Sequence, residues 1–91
     1  MGIAVAPDGR TVYVTTGRGG TVVVVDAVKD EVVGSIRVGE RPWGIAATPD
    51  GRTLYAANGL SNDVSVIDVV TRREVARIRV GSKPWGVVVL P

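Results

Sequence analysis

The apolar positions of this chain fall in short runs that are separated by glycine, proline and aspartate. Most runs alternate between apolar and polar side chains, which is the period of a β-strand. Near the end of the chain, for example, Val75, Ile78 and Val80 are set against arginines. The run Val22–Val25 is apolar at every position, and because consecutive strand residues point to opposite faces, this strand must be covered on both sides. No stretch keeps a helical period, so the pattern predicts strands and no helix.

The sequence repeats itself with an offset of 42 residues. Aligning residues 2–43 with residues 44–85 gives 21 identical pairs, and a third copy begins after residue 85. Such a repeat indicates stacked copies of one supersecondary unit. The predicted divisions are a first unit over residues 1–43, a second unit over residues 44–85 and a surplus strand over residues 86–91.

Each unit contains four short strand patterns, and a Pro-Asp-Gly turn follows the first of them. In the first unit the predicted strands are Gly2–Ala6, Thr11–Thr15, Thr21–Asp26 and Glu31–Val38. In the second unit they are Gly44–Thr48, Thr53–Ala57, Asp63–Asp68 and Glu74–Val80. Four antiparallel strands in about 40 residues form the blade of a β-propeller. The predicted fold class is therefore all-β, with two four-stranded propeller blades in the chain.

Composition supports a folded β domain and weighs against catalysis. Apolar residues make up 45% of the chain and charged residues 22%, which excludes intrinsic disorder. The chain has no cysteine and no histidine, so it lacks a thiolate nucleophile, the usual general base and the commonest metal ligand. We therefore predict no enzyme activity, no metal and no cofactor. The small net charge of +2 predicts no nucleic-acid partner, and no apolar run approaches the roughly 20 residues that span a bilayer.

Particular motifs resemble the YVTN-type β-propeller repeat, which is named for a Tyr-Val-Thr-Asn stretch on the second strand. The second strands here carry Tyr13-Val14-Thr15-Thr16 and Tyr55-Ala56-Ala57-Asn58. The Val66-Ile67-Asp68 ending of a third strand and the Val-Gly-x-x-Pro-Trp-Gly junction from Val80 to Gly86 are also similar to the family. The resemblance implies surface-layer or other exported proteins, or domains of periplasmic oxidoreductases and lactonase-like enzymes. The chain shows no signal segment, and histidine-based haem or metal sites of the family have no matching residue here.

Two blades cannot close a ring, because propellers contain roughly four to eight blades. Packing one blade on the other covers one face of each and leaves two valine-rich faces bare. We therefore expect a cyclic homo-oligomer of three or four chains, with six or eight blades. The surplus strand Gly86–Leu90 competes with Gly2–Ala6 for the innermost position of a blade, and the sequence favours Gly86–Leu90 there because Trp85 precedes it.

The candidate ligand-binding residues are Trp43, Trp85, Arg41 and Lys83. Both tryptophans lie between a proline and a glycine at a junction between blades. They either form an aromatic floor for a flat ligand or wedge between the blades, and the wedge is favoured. Arg41 and Lys83 either draw an anion to one mouth of the ring or are ordinary solvated loop charges, and the second reading is favoured.

Other polar residues have a simpler interpretation. The repeated carboxylates have three interpretations: calcium ligands, an acid–base pair, or hydrogen-bond acceptors for the backbone of their own turns. The third interpretation is favoured. These carboxylates are Asp8, Asp26, Asp50 and Asp68. The segment Gly17–Gly20 is predicted to be a surface loop and not a phosphate loop. The arginines of the fourth strands are predicted to protect the sheet edge, and they are Arg37, Arg72, Arg73, Arg77 and Arg79.

Three functional hypotheses follow. The first, which we favour, is a non-catalytic propeller building block that binds a protein or a small anionic ligand at a face of the ring. The second is a part of a larger propeller enzyme or surface protein whose catalytic residues lie outside this chain. The third is an engineered repeat with no native ligand, against which the divergence of the two units counts.

Overall fold

A computed structural model describes residues 2–80 as two antiparallel four-stranded sheets. Each sheet keeps its strands in chain order, so every strand pairs with its neighbour in the sequence. The first sheet contains β1 (Ile3–Val5), β2 (Thr11–Thr15), β3 (Thr21–Asp26) and β4 (Glu31–Arg37). The second contains β5 (Pro42–Ala47), β6 (Thr53–Asn58), β7 (Asp63–Asp68) and β8 (Arg73–Arg79). The predicted all-β fold of two blades is confirmed.

The bounds of β2, β3 and β7 are those predicted, and the bounds of the other five strands differ by one or two residues. The largest difference is at β5, which begins at Pro42 and not at Gly44, because Pro42 already pairs with Asn58 across a bulge. One 3-10 turn, Gly17–Gly19, lies in the loop between β2 and β3, where no helix was predicted. It is too short to leave a periodic sequence signal. The predicted strand Gly86–Leu90 lies outside the described residues.

The core lies between the two sheets. The first sheet contributes Tyr13, Val22, Val24 and Ile36, all at most 4% exposed, and the second contributes Ile45, Leu54, Ala56 and Ile67. Alternation on each strand sends these side chains to one face. Burial raises the pKa of the Tyr13 phenol, although the charge of Arg72 acts in the opposite direction. The outward faces of both sheets remain apolar and partly exposed.

The turns divide between two edges of the sheet pair. The lower edge carries the predicted Pro-Asp-Gly hairpins, whose Gly9 and Gly51 adopt a left-handed φ of 72°. The upper edge carries the β2–β3 loop, the β4–β5 connection and the β6–β7 loop. Residues 38–41 of the β4–β5 connection pass from the first sheet to the second, so the upper edge joins the two blades.

Candidate functional site

An open cleft of about 460 Å³ lies on the upper edge, between the two blades. The first blade and the β4–β5 connection provide Arg18, Arg37 and Arg41, and the second blade provides Arg77 and Leu60. We call this feature the arginine cleft. Glu40 is the one carboxylate among the described residues that line it, so this part of the lining carries an excess of positive charge.

Backbone hydrogen bonds fix the β4–β5 connection against the second blade. Gly59 N donates to Arg41 O at 2.9 Å, and Leu60 N donates to Glu40 O at 3.2 Å. Glu40 N also donates to Ser61 Oγ at 3.1 Å. The wall of the arginine cleft that carries Arg41 is therefore tied to the β6–β7 loop.

Arg41 is the predicted site residue that the structure places in the cleft. It is partly buried and has a φ of +50°, in the left-handed region that glycine and asparagine favour. Its guanidinium makes no ion pair with another residue of the 2–80 range. The matching residue of the second unit, Lys83, lies outside the described residues, as does Trp85.

Trp43, the other predicted residue that is described, lies beside the cleft and does not line it. Its indole packs over the backbone of Gly59, because a Cβ at Gly59 would lie 2.5 Å from Cδ1 of Trp43. Its carbonyl oxygen accepts a bond from Thr15 Oγ1 at 3.5 Å, across the contact between the blades. The backbone of Trp43 thus contacts the first blade, while its side chain covers a loop of the second.

Replacing Gly59 with alanine is expected to displace the indole of Trp43 and to cost about 1–3 kcal/mol of stability, because the added methyl overpacks this contact. In a Trp85→Phe background, Trp43 is the one tryptophan left, and its emission should shift to longer wavelength. Gly34→Ala is the matched control, since a Cβ there meets the flexible end of Arg72 at 3.0 Å. An unchanged emission spectrum and unfolding midpoint in Gly59→Ala would contradict the contact.

A buried polar network lies behind Arg77, and the sequence analysis missed it. Asn58 Nδ2 donates to Asp63 Oδ1 at 2.8 Å and to Ser65 Oγ at 2.9 Å. Ser65 in turn donates to Glu74, and Arg77 Nη2 lies 2.9 Å from Glu74 Oε1. Arg77 is exposed on the edge strand, as predicted, and the hydrogen bonds that its guanidinium donates to Glu74 raise its pKa and hold it on the sheet.

The signal for this network lay in the repeat. Ser65 and Glu74 stand where the first unit has Val23 and Val32. Two polar residues that replace valine in paired strands indicate a polar contact on the face shared with the neighbouring blade. Asn58 Oδ1 is buried and has no hydrogen-bond partner within the described part of the chain.

The repeated aspartates serve their turns, as predicted. Asp8 Oδ1 accepts a bond from Arg10 N at 2.8 Å, and Asp26 Oδ1 accepts one from Val28 N at 2.9 Å. Asp68 does the same with Val70 N at 2.9 Å. The hydroxyl of Thr48 donates to Asp50 at 2.5 Å and lowers the pKa of that carboxyl. Residues 2–80 contain no group of three metal-ligating side chains and no helix that could span a membrane.

Three solved structures illustrate what this chain is similar to. Hydrazine synthase of Kuenenia stuttgartiensis is 39% identical with a TM-score of 0.91, over 93% of this chain and 24% of its own. Dihydro-heme d1 dehydrogenase NirN in complex with DHE is 31% identical with a TM-score of 0.75, over 86% of this chain and 17% of its own. The Cps50 (Swd1) β-propeller domain of Myceliophteria thermophila is 19% identical with a TM-score of 0.82. The match covers 92% of this chain and 26% of that domain's chain. That last likeness concerns the fold alone.

The chain spans about a quarter or less of the length of these structures. No curated protein matches the sequence. The family described as "Cytochrome D1 heme domain" matches residues 1–88.

The haem that this family name implies finds no iron ligand in the described residues. Haem iron is held by histidine, cysteine, methionine or tyrosine, and the sequence has no histidine or cysteine. Tyr13 is buried in the core at 4% exposure, Tyr55 is partly exposed on the outward apolar face of the second sheet, and Met1 lies outside the described residues. The donor set does not fit a haem iron. In fold and in sequence, nevertheless, the chain belongs to the cytochrome D1 heme domain family of β-propellers.

Proposed function

We propose that the chain supplies two neighbouring blades of a closed YVTN-type propeller that acts as a non-catalytic binding scaffold, and that copies of the chain complete the ring. The observation that carries this proposal is the pair of apolar outward faces. Ile3 is 66% exposed on the first sheet and Ile78 is 52% exposed on the second. A soluble protein rarely leaves extended apolar faces of this kind uncovered.

The outward face of the second sheet repeats the inward face of the first. Tyr13 and Ile36 are 4% and 2% exposed in the core between the blades. Their counterparts 42 residues later are Tyr55 and Ile78, which point away from the first blade. Val64 and Val66 likewise repeat the buried Val22 and Val24. The outward face of the second blade therefore has nearly the same apolar side chains as the face of the first blade that packs on the second. A further blade could pack on it in the same way.

The outward face of the first sheet shows the converse relation. Ile3 stands 42 residues before Ile45, which is 9% exposed in the core. Val12 and Val25 are both partly exposed, whereas Leu54 and Ile67, which lie 42 residues later at the same repeat positions, are fully buried. The outward face of the first blade thus resembles the face of the second blade that packs on the first. A preceding blade could pack on it in the same way.

The two outward faces are therefore complementary to each other. Joining the outward face of one chain to the opposite outward face of another repeats the contact already present within the chain. Such a head-to-tail contact is heterologous and closes into a ring when the rotation permits. Three copies give six blades and four give eight, both within the range of known propellers.

The YVTN motif gains a structural role in this arrangement. Tyr13 fills the contact between the blades, and the one hydroxyl proton of Thr15 is shared between Gly2 O at 3.3 Å and Trp43 O at 3.5 Å. Thr15 Oγ1 also accepts a bond from Gly2 N at 2.6 Å. Both residues therefore act at the junction of the blades. This supports a structural role for the motif, in packing one blade on the next, and not a catalytic role.

The mass of the purified chain in solution tests the proposal. We expect light scattering after gel filtration to give three or four times the mass of one chain at micromolar concentration. A stable single chain at that concentration would contradict assembly from copies.

A second candidate function rests on the comparisons. The 39% identity with hydrazine synthase, whose chain is about four times longer, favours two blades of a larger propeller enzyme. In that case the outward faces pack against other blades of one polypeptide, and the catalytic and haem-binding residues lie in them. The flanking coding sequence distinguishes the two, since further blades in the same reading frame favour the larger enzyme.

A further inference from the structure

We propose that the arginine cleft is a binding site for a small polyanion that carries two or more phosphate or carboxylate groups. The cleft lies at the upper edge, between the β2–β3 loop, the β4–β5 connection and the outermost strand of the second blade. Both walls belong to one chain, so the site does not depend on closure of a ring.

The charge of the cleft is not balanced by the protein. Arg18, Arg37 and Arg41 make no ion pair with another residue between 2 and 80, and Glu40 is the one acid in the lining. Guanidinium groups bind carboxylates and phosphates through paired hydrogen bonds. Three of them around one opening are complementary to a ligand with more than one oxyanion group.

Arg77 has a different role from these three arginines. Glu74 and Asp63 hold its guanidinium, at 2.9 Å from Glu74 Oε1 and 3.9 Å from Asp63 Oδ2. It is thus neutralised by the second blade and forms a fixed wall. The free positive charge of the cleft comes from the first blade and the connection.

The backbone at Arg41 is in the left-handed region, with a φ of +50°. Asp30, Asn62 and Arg72 adopt the same region in other turns, so what distinguishes Arg41 is the position of its charge in the arginine cleft. The second unit also places a cation, Lys83, at the equivalent position. Glycine or asparagine would suit this backbone better, so the sequence keeps a cation where local conformation disfavours it.

The lining of the cleft favours a small organic anion. Its open volume of about 460 Å³ is large enough to admit one. Leu60, which is 53% exposed, provides an apolar patch at its margin, against which a carbon skeleton can pack. The ligand class is therefore an organic polyanion, with the source of its charge, phosphate or carboxylate, left for the probes to distinguish.

Calorimetric titration of the purified chain with inorganic pyrophosphate and with citrate, at low ionic strength, tests the site. We expect at least one of the two to bind, and the one that binds identifies phosphate or carboxylate as the preferred group. Arg41→Asn removes the charge and suits the left-handed backbone, so the fold should be retained. It should weaken binding roughly tenfold or more, as should Arg18→Gln on the opposite wall.

Arg10→Gln is the matched control, because Arg10 is exposed at the lower edge and removing it changes the net charge equally. We expect it to change affinity less than about twofold, since a lower-edge charge makes no contact with the ligand. Two results would overturn the proposal: neither probe binds the folded wild-type chain at millimolar concentration, or Arg10→Gln weakens binding as much as Arg41→Asn. Neither depends on the mass of the particle, so failure of the cleft and failure of ring assembly are distinguishable.

Discussion

Replacing Ile78 with glutamate is expected to reduce the proposed ring to single chains. Ile78 is 52% exposed on the outward face of the second sheet, and its counterpart Ile36 is 2% exposed between the blades. If a further blade covers Ile78 as the second blade covers Ile36, the variant buries an unpaired carboxylate at every junction between chains. That costs several kcal/mol per junction, in addition to about 2 kcal/mol of lost apolar burial. Light scattering after gel filtration should then report the mass of one chain.

Val70→Glu is the matched control for this experiment. Val70 is 83% exposed in the turn between β7 and β8. Its counterpart Val28 stays 73% exposed although its sheet is already packed against a neighbour. A further blade should therefore leave Val70 in water, and the control should assemble as the wild type does. Assembly of Ile78→Glu at the same mass as wild type would show that this face is not the junction.

The sequence was sufficient for the architecture because the repeat and the strand pattern depend on local rules. The offset of 42 residues aligned both sets of strands, and alternation in each strand specified a face. The Pro-Asp-Gly hairpins and the aspartate turns were predictable because their chemistry is contained within a few residues. The family match agrees with the propeller fold predicted from these patterns.

The upper edge was only partly predictable, because its features depend on contacts between units. Arg41 was singled out, but its grouping with Arg18 and Arg37 arises from the path of the β4–β5 connection across two sheets. The contact of Trp43 with Gly59 depends on the bulge at the start of β5. Arg77 lies exposed on the edge strand as predicted, but alternation in β8 alone does not reveal its ion pair with Glu74.

Truncating Ile36 to alanine is expected to lower the free energy of unfolding by about 2–5 kcal/mol, because it leaves a cavity in a close-packed core. Ile36 is 2% exposed and belongs to the cluster between the sheets. Urea denaturation followed by circular dichroism measures the change, under conditions where the assembly state is held constant. A loss below about 1 kcal/mol would mean that the sheets do not pack through this residue, since truncating a buried isoleucine in a packed core costs about 2 kcal/mol or more.

Ile78→Ala provides a comparison with Ile36→Ala, because Ile36 is 2% exposed between the blades and Ile78 is 52% exposed on the outward face. In an isolated chain Ile78→Ala should cost well under 1 kcal/mol, since about half of the side chain is already in water. In a closed ring its cost should approach that of Ile36→Ala, because the new junction repeats the old one. Measuring both variants above and below the concentration at which chains associate therefore separates the stability of a blade pair from the stability that a neighbouring blade adds.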